Sequence, residues 1–186
     1  KYYDPHGTEV SGEANIMRFD KSRLANYLVK LYMPIAQKAK GHGMYIIMRP
    51  PGVCPQKILV GDYYQQYLMT VWDIVTKNDS ILKNAGVVSI ELANEPVNLT
   101  DANGQNTEWA MRDYFQPIVD MIRKNGFTGI IWVPGTGWQS NYRGYAKYPI
   151  KGYNIGYAVH DYVGWYGCSD NNANAASLMT SFRESV

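Results

Sequence analysis

Cysteine is scarce, charge is nearly balanced and no apolar run is long enough to cross a bilayer, and each shortage removes a class of function. The 2 cysteines, Cys54 and Cys168, fall in loops after different strand-like runs and make no metal-ligand spacing; a disulfide between them stays open, but no cysteine framework organises the chain. With 18 basic against 16 acidic residues the net charge is only +2, which gives nucleic acid no electrostatic footprint, and nothing marks a membrane partner. No G-x-S-x-G elbow is present, so a Ser–His nucleophilic system has no support. Neither a short-period repeat nor a linker of biased composition divides the 186 residues, which read as part of one domain. The chain opens on Lys1 rather than Met, so the lack of a leader segment carries no information. Phenylalanine is also sparse, at 4, beside 16 Tyr and 5 Trp. Amphipathic aromatics suit surfaces that stack on sugar rings, and equally suit a tyrosine-rich core.

What is present centres on Val87-Val88-Ser89-Ile90-Glu91-Leu92-Ala93-Asn94-Glu95-Pro96. A β-branched run closing on Asn-Glu-Pro reads as a buried parallel strand that stops at a residue with no N–H to donate. Strand alternation puts Glu91, Ala93 and Glu95 on one face, and two carboxylates pointing one way are costly unless they are used or paired.

Around this run, helical and strand patterns alternate. Asp20 reads as the cap of a helix carrying Leu24, Leu28, Leu31 and Ile35, kinked at Pro34 and stopped by Gly41 and Gly43. Gly43 to Arg49 reads as a strand ending at Pro50-Pro51-Gly52. Tyr63 to Val75 reads as a helix with Tyr64, Leu68, Val71 and Val75 on one face. Val97 to Asn106 reads as a polar loop; its Asp101-Ala102-Asn103-Gly104 lacks the offsets of a calcium loop, and no metal is expected. A helix through Met111, Tyr114, Phe115, Ile118 and Ile122 closes at Gly126, a strand runs from Gly129 to Val133, a loop leads to a strand from Tyr157 to Tyr162, and Ala173 to Arg183 reads as a last helix. Short apolar strands alternating with helices imply a parallel sheet with crossover connections.

Asn94-Glu95-Pro96 after its strand, together with Tyr157-Ala158-Val159-His160-Asp161-Tyr162 downstream, resembles the fourth- and sixth-strand motifs of glycoside hydrolase family five, the cellulase and mannanase family of clan A. Gly129-Ile130-Ile131-Trp132-Val133-Pro134-Gly135 resembles the fifth strand between them, and the resemblance runs from about Asp20 to the end. It implies an α/β fold, the (β/α)8 TIM barrel, of which this chain supplies about four central strands, the third to the sixth, since a whole barrel takes roughly 250 residues. It implies a retaining endo-β-1,4-glycanase, foremost an endoglucanase, with mannanase or xyloglucanase as variants. A non-catalytic carbohydrate-binding protein on the same barrel is the other class, because fold does not guarantee chemistry.

Glycoside cleavage needs two carboxyl groups flanking the bond, one delivering a proton to the leaving oxygen. The resemblance makes Glu95 the general acid/base, Asn94 the partner of the sugar 2-hydroxyl, and His160 and Tyr162 the sixth-strand residues lining the site. Standing alone, Asn94 would be an ordinary turn residue and His160 a satisfied core histidine. Trp138 and Trp165, just after strand ends, are stacking candidates or outer packing. Many family members carry a histidine near the third strand's end where this chain has Arg49-Pro50, which leaves Arg49 as the polar substrate-binding group there. The nucleophile glutamate and the second-strand arginine fall outside these residues; Glu184, in a helix-like run, does not fit the nucleophile's place. No cofactor is implied. The expected partners are an oligosaccharide or polysaccharide substrate and a complementary segment or chain completing the barrel, and the expected location is extracellular, periplasmic or at the cell surface.

Overall fold

Asp20 starts the first helix as its sequence suggests, its carboxylate accepting from the N–H of Arg23 at 2.6 Å. The computed structural model describes residues 19–50 and 54–160, together with the backbone of Tyr2–Tyr3 (β1) and Glu9–Val10 (β2), which pair antiparallel. Helix α1 (Lys21–Tyr27) runs through a π-turn, Leu28–Tyr32, into α2 (Met33–Gly41). The disturbance expected at Pro34 takes this form: a regular helix would press the proline ring on the carbonyl four residues back, and the widened turn, with Met33 N–H bonded to Leu28 O, opens the ladder just before it.

The remaining elements are β3 (Ile46–Met48), β4 (Lys57–Leu59), α3 (Tyr63–Thr76), α4 (Asp79–Lys83), β5 (Val88–Glu91), β6 (Asn98–Thr100), α5 (Ala110–Lys124), β7 (Ile131–Pro134), a four-residue turn α6 (Thr136–Gln139), α7 (Arg143–Lys147) and β8 (Ile155–Ala158). β3, β5, β7 and β8 form one four-stranded sheet in that order, parallel throughout. Ile46 lies opposite Val88, Ile90 opposite Ile131, and Ile131 opposite Ile155. These are the four strands expected from the sequence, in order, and their parallel arrangement agrees with the expected part of a (β/α)8 barrel.

Helices α3 and α5 cover the sheet with the faces their periodicity marks. Tyr64, Leu68, Val71 and Val75 are buried, as are Met111, Tyr114, Phe115, Ile118 and Ile122. Truncating one of the fully enclosed residues, such as Ile118→Ala, costs about 2–5 kcal/mol on the usual scale. Trp72, fully buried on α3, also donates its indole N–H to Leu92 O at 2.9 Å, which pins the chain just beyond β5.

Three local expectations change. β6 pairs in parallel with β4 in a separate two-stranded ribbon, so part of the Val97 to Asn106 loop is a strand too short to show a period. Asp101 in that loop accepts from the N–H groups of Asn103 and Gln105, both at 2.9 Å, the ordinary work of a turn aspartate. The stretch between β7 and β8, read as a loop, holds α6 and α7. β8 begins at Ile155 and ends at Ala158, so His160 stands beyond the strand rather than within it; Tyr162, Trp165, Cys168, Glu184 and the helix read at Ala173 to Arg183 lie outside the described residues.

Much of the tyrosine surplus serves the core. Tyr145 donates to Pro134 O at 3.0 Å at the end of β7, Tyr142 donates to Ala158 O at the end of β8, and Tyr114 donates to Asp62 at 3.0 Å. The first two hydroxyls fasten the ends of β7 and β8, and the third braces the aspartate that caps α3. Cys54 is buried too, its thiol 3.6 Å from the Tyr64 hydroxyl.

Candidate active site

All the sequence-marked polar residues that the structure describes gather at the carboxyl ends of the parallel strands. Arg49 follows β3, Asn94 and Glu95 follow β5, Trp138 follows β7 and His160 follows β8. Open parallel sheets and barrels place their chemistry at this edge because the loops there can vary without disturbing the core.

β5 ends at Glu91, and the chain then passes through buried Leu92, Ala93 and Asn94 to Glu95, whose φ is 53°. Simple alternation therefore does not reach Glu95. The two carboxylates converge all the same, since a left-handed residue turns the chain back. A non-glycine residue held there stores strain, and such residues concentrate at functional sites.

His160 is what the carboxylates converge on. Its Nδ1 lies 2.9 Å from Glu95 Oε1 and its Nε2 lies 3.1 Å from Glu91 Oε1. The Glu91 side chain is 8% exposed, whereas that of Glu95 keeps 18% and that of His160 24%, so Glu95 is the carboxylate of the pair that faces out. One imidazole between two carboxylates can hold and share a proton at the strand ends, which is what an acid/base site requires.

Asn94 is buried, and its side-chain oxygen accepts from the guanidinium of Arg49. Its carbonyl accepts the N–H of Cys54 at 2.7 Å, fixing the segment after β3 against the segment after β5. Trp138 is half exposed, at 50%, with φ 57°, and its backbone N–H bonds to Pro96 O at 3.0 Å, which sets the residue beside the Asn-Glu-Pro loop. Gly135, where this loop starts, is a glycine of necessity: a Cβ there would sit 2.4 Å from Asn141 O and 2.8 Å from the Tyr142 ring.

Gln139 was not legible as a site residue. It is fully buried, accepts the Glu95 N–H at 2.8 Å, and donates to Glu91 Oε1 at 3.0 Å and to Ala158 O at 2.8 Å. A glutamine in a Gly-rich turn carries no sequence signal; only its burial exposes its part.

Comparison with known proteins gives a consistent family. The family described as Cellulase (glycosyl hydrolase family 5) matches residues 20–185. An endoglucanase of Bacillus sp. (strain KSM-635) is 38% identical over 84 residues, 42% of this chain and 9% of that protein. A β-glucanase from Saccharophagus degradans superposes with a TM-score of 0.60 at 20% identity, covering 82% of this chain and 46% of its own, and its complex with cellotetraose superposes at 0.51 with 22% identity, covering 65% and 35%. The catalytic domain of Thermobifida fusca endoglucanase Cel5A superposes at 0.56 with 19% identity, covering 98% of this chain and 66% of that one. At such identities the structural likeness speaks to the fold, and this chain spans about half of the β-glucanase's length.

Proposed function

The chain belongs to glycosyl hydrolase family 5, the cellulase family, and from that membership we propose that it carries the acid/base side of the cleft of a retaining endo-β-1,4-glycanase, foremost an endoglucanase acting on β-1,4-glucan. The observation that carries this reading is the Glu91–His160–Glu95 arrangement at the strand ends, with Glu95 as the outward carboxylate. Glu95 delivers the proton to the leaving oxygen and later takes one from water. His160 holds the Glu95 carboxyl in place and shares its proton. Asn94 donates to the sugar 2-hydroxyl, a contact that strengthens as positive charge develops at the anomeric carbon. Arg49 acts at the same end through Asn94, and Trp138 offers a ring face to the sugar.

Glu91 is not the nucleophile in this reading, because it is buried and its Oε1 is already engaged by His160 and Gln139. A second glutamate, from the segment or chain that completes the barrel, takes that role about 5–5.5 Å from Glu95, as retention requires. A polymeric glucan does not cross a membrane, which puts the enzyme outside the cytoplasm, in the medium, the periplasm or at the cell surface.

The test is Glu95→Gln in the full-length enzyme, assayed on cello-oligosaccharides and on an aryl glycoside with an activated leaving group. Turnover of the natural bond falls roughly 10²–10⁴-fold while glycosylation by the activated substrate falls far less. Wild-type hydrolysis of the glucan by this variant removes Glu95 from the mechanism, and binding without hydrolysis by the wild type favours the non-catalytic class.

A further inference from the structure

Gln139 sits where three strand ends meet. It follows β7, its side chain reaches the residues after β5 and the last residue of β8, and its own carbonyl accepts the N–H of His160 at 3.3 Å. It is also the third of three successive left-handed residues, after Gly137 at φ 59° and Trp138 at φ 57°, with φ 61° of its own. A fully buried glutamine in an unfavourable backbone conformation persists only where its surroundings over-determine it.

The hydrogen bonds fix which way its amide faces. The Glu95 N–H needs an acceptor, so Oε1 is turned toward it, and Nε2 is thereby turned toward Glu91 Oε1 and Ala158 O. Glu91 Oε1 then stands against two nitrogens, Gln139 Nε2 at 3.0 Å and His160 Nε2 at 3.1 Å. An amide N–H can only donate. With Glu91 as a carboxylate that oxygen has only lone pairs to offer, so His160 Nε2 donates to it as well. That sets the neutral imidazole as the Nε2–H tautomer, with the lone pair of Nδ1 facing Glu95 Oε1 at 2.9 Å.

We propose that Gln139 is a positioning residue for the acid/base, holding Glu91 as the acceptor that selects the His160 tautomer and holding the Glu95 backbone in its left-handed turn. In that tautomer Nδ1 accepts a hydrogen bond from Glu95 when Glu95 carries its proton, and donates to the Glu95 carboxylate only after taking up a proton itself. The proposal rests on Glu95 as the acid/base, and it assigns the choice of tautomer to a residue that touches neither substrate nor the reacting bond. The charged and titratable groups engaged at this cluster among the described residues are Glu91, Glu95 and His160, with Arg49 joined to it through Asn94.

The experiment uses the full-length enzyme labelled with ¹⁵N-histidine, as wild type, Gln139→Asn, His160→Gln and Glu95→Gln. The His160→Gln spectrum assigns the His160 signals. Asparagine suits positive φ and keeps the amide, but it is one methylene short of spanning the Glu95 N–H and Glu91. The wild type shows His160 as the Nε2–H tautomer when neutral; Gln139→Asn shows a mixture, and its kcat on cello-oligosaccharides falls roughly 10²-fold with KM little changed. A wild-type His160 in the Nδ1–H tautomer overturns the proposal even if the variant fails to fold, and so does a folded Gln139→Asn with wild-type kcat and tautomer. If Glu95→Gln retains activity while the tautomer responds to Gln139→Asn, the acid/base reading fails and the positioning of His160 stands.

Discussion

The guanidinium of Arg49, at the end of β3, donates to the side-chain oxygen of Asn94, at the end of β5, and so decides which end of that amide is left to meet a ligand. With Oδ1 occupied, Nδ2 is the group that can donate to a sugar hydroxyl. Arg49→Leu removes a charge-assisted partner commonly worth about 1.5–3 kcal/mol, and a comparable loss of transition-state binding corresponds to roughly 10–150-fold in kcat/KM. The dependence on the 2-hydroxyl is the check. Against a 2-deoxy aryl glycoside Arg49→Leu should match the wild type closely, whereas an equal loss on both substrates would show that Arg49 acts on something other than Asn94.

Trp138 stands half exposed at positive φ, with its backbone tied to Pro96. A side chain with that much free surface contributes little to folding, so Trp138→Ala should change stability by no more than about 0.5–1 kcal/mol. Loss of a stacking face should instead weaken oligosaccharide binding several-fold, on the order of 0.5–1.5 kcal/mol. Calorimetric titration beside a thermal melt separates the two: a large fall in melting temperature with unchanged affinity would assign the indole to packing.

These two residues show what the sequence made legible. Val88 to Glu91, Ile131 to Pro134 and their helices announce themselves by composition and period, because burial on both faces of a parallel strand demands apolar runs. Asn94, Glu95 and His160 were readable from motif and order. The way they meet was not, because it depends on φ at Glu95 and on a strand that ends before His160. The β4–β6 ribbon escaped because each strand has only 3 residues and, unlike β3, lies outside any long apolar run; just one residue of each is buried. Gln139 escaped because its role lies in which groups surround it, and one-dimensional pattern carries nothing of that.

Asp62 gives a pH test away from the site. It caps α3, accepting from the N–H of Gln65 at 2.8 Å, the N–H of Leu59 at 3.0 Å and the hydroxyl of Tyr114 at 3.0 Å. Burial raises its carboxyl above the ordinary 3.8, and these hydrogen bonds only partly offset that. Between 3.8 and the raised value the folded chain binds more protons than the unfolded one, so this group lowers stability as pH rises through that window. Asp62→Asn keeps a capping oxygen and abolishes the titration, so the melting temperature of the variant should gain on the wild type as pH climbs from 3 toward 6. A constant difference across that range would mean that Asp62 titrates alike in both states.

The last prediction concerns the sheet's outer edge. β3 pairs with β5 on one side, and among the described residues nothing pairs with its other side. Beside it lies a cleft of about 430 Å³ whose walls include Leu24, Leu28, Met48, Val71 and Trp72. Tyr45 is 81% exposed and Ile47 55%. An unpaired apolar strand is a template for another chain, and a lysine on such an edge is the usual way proteins blunt it. Residues 1–186 produced alone should therefore run in light scattering above the 21.1 kDa of one chain, with the excess falling at higher dilution. Ile47→Lys should shift the population toward monomer while leaving the far-ultraviolet circular dichroism intact, because it adds charge to an exposed position without opening the buried core. A monomeric wild-type chain of these residues, unchanged by this substitution, would show that the edge of β3 is already closed from within the chain.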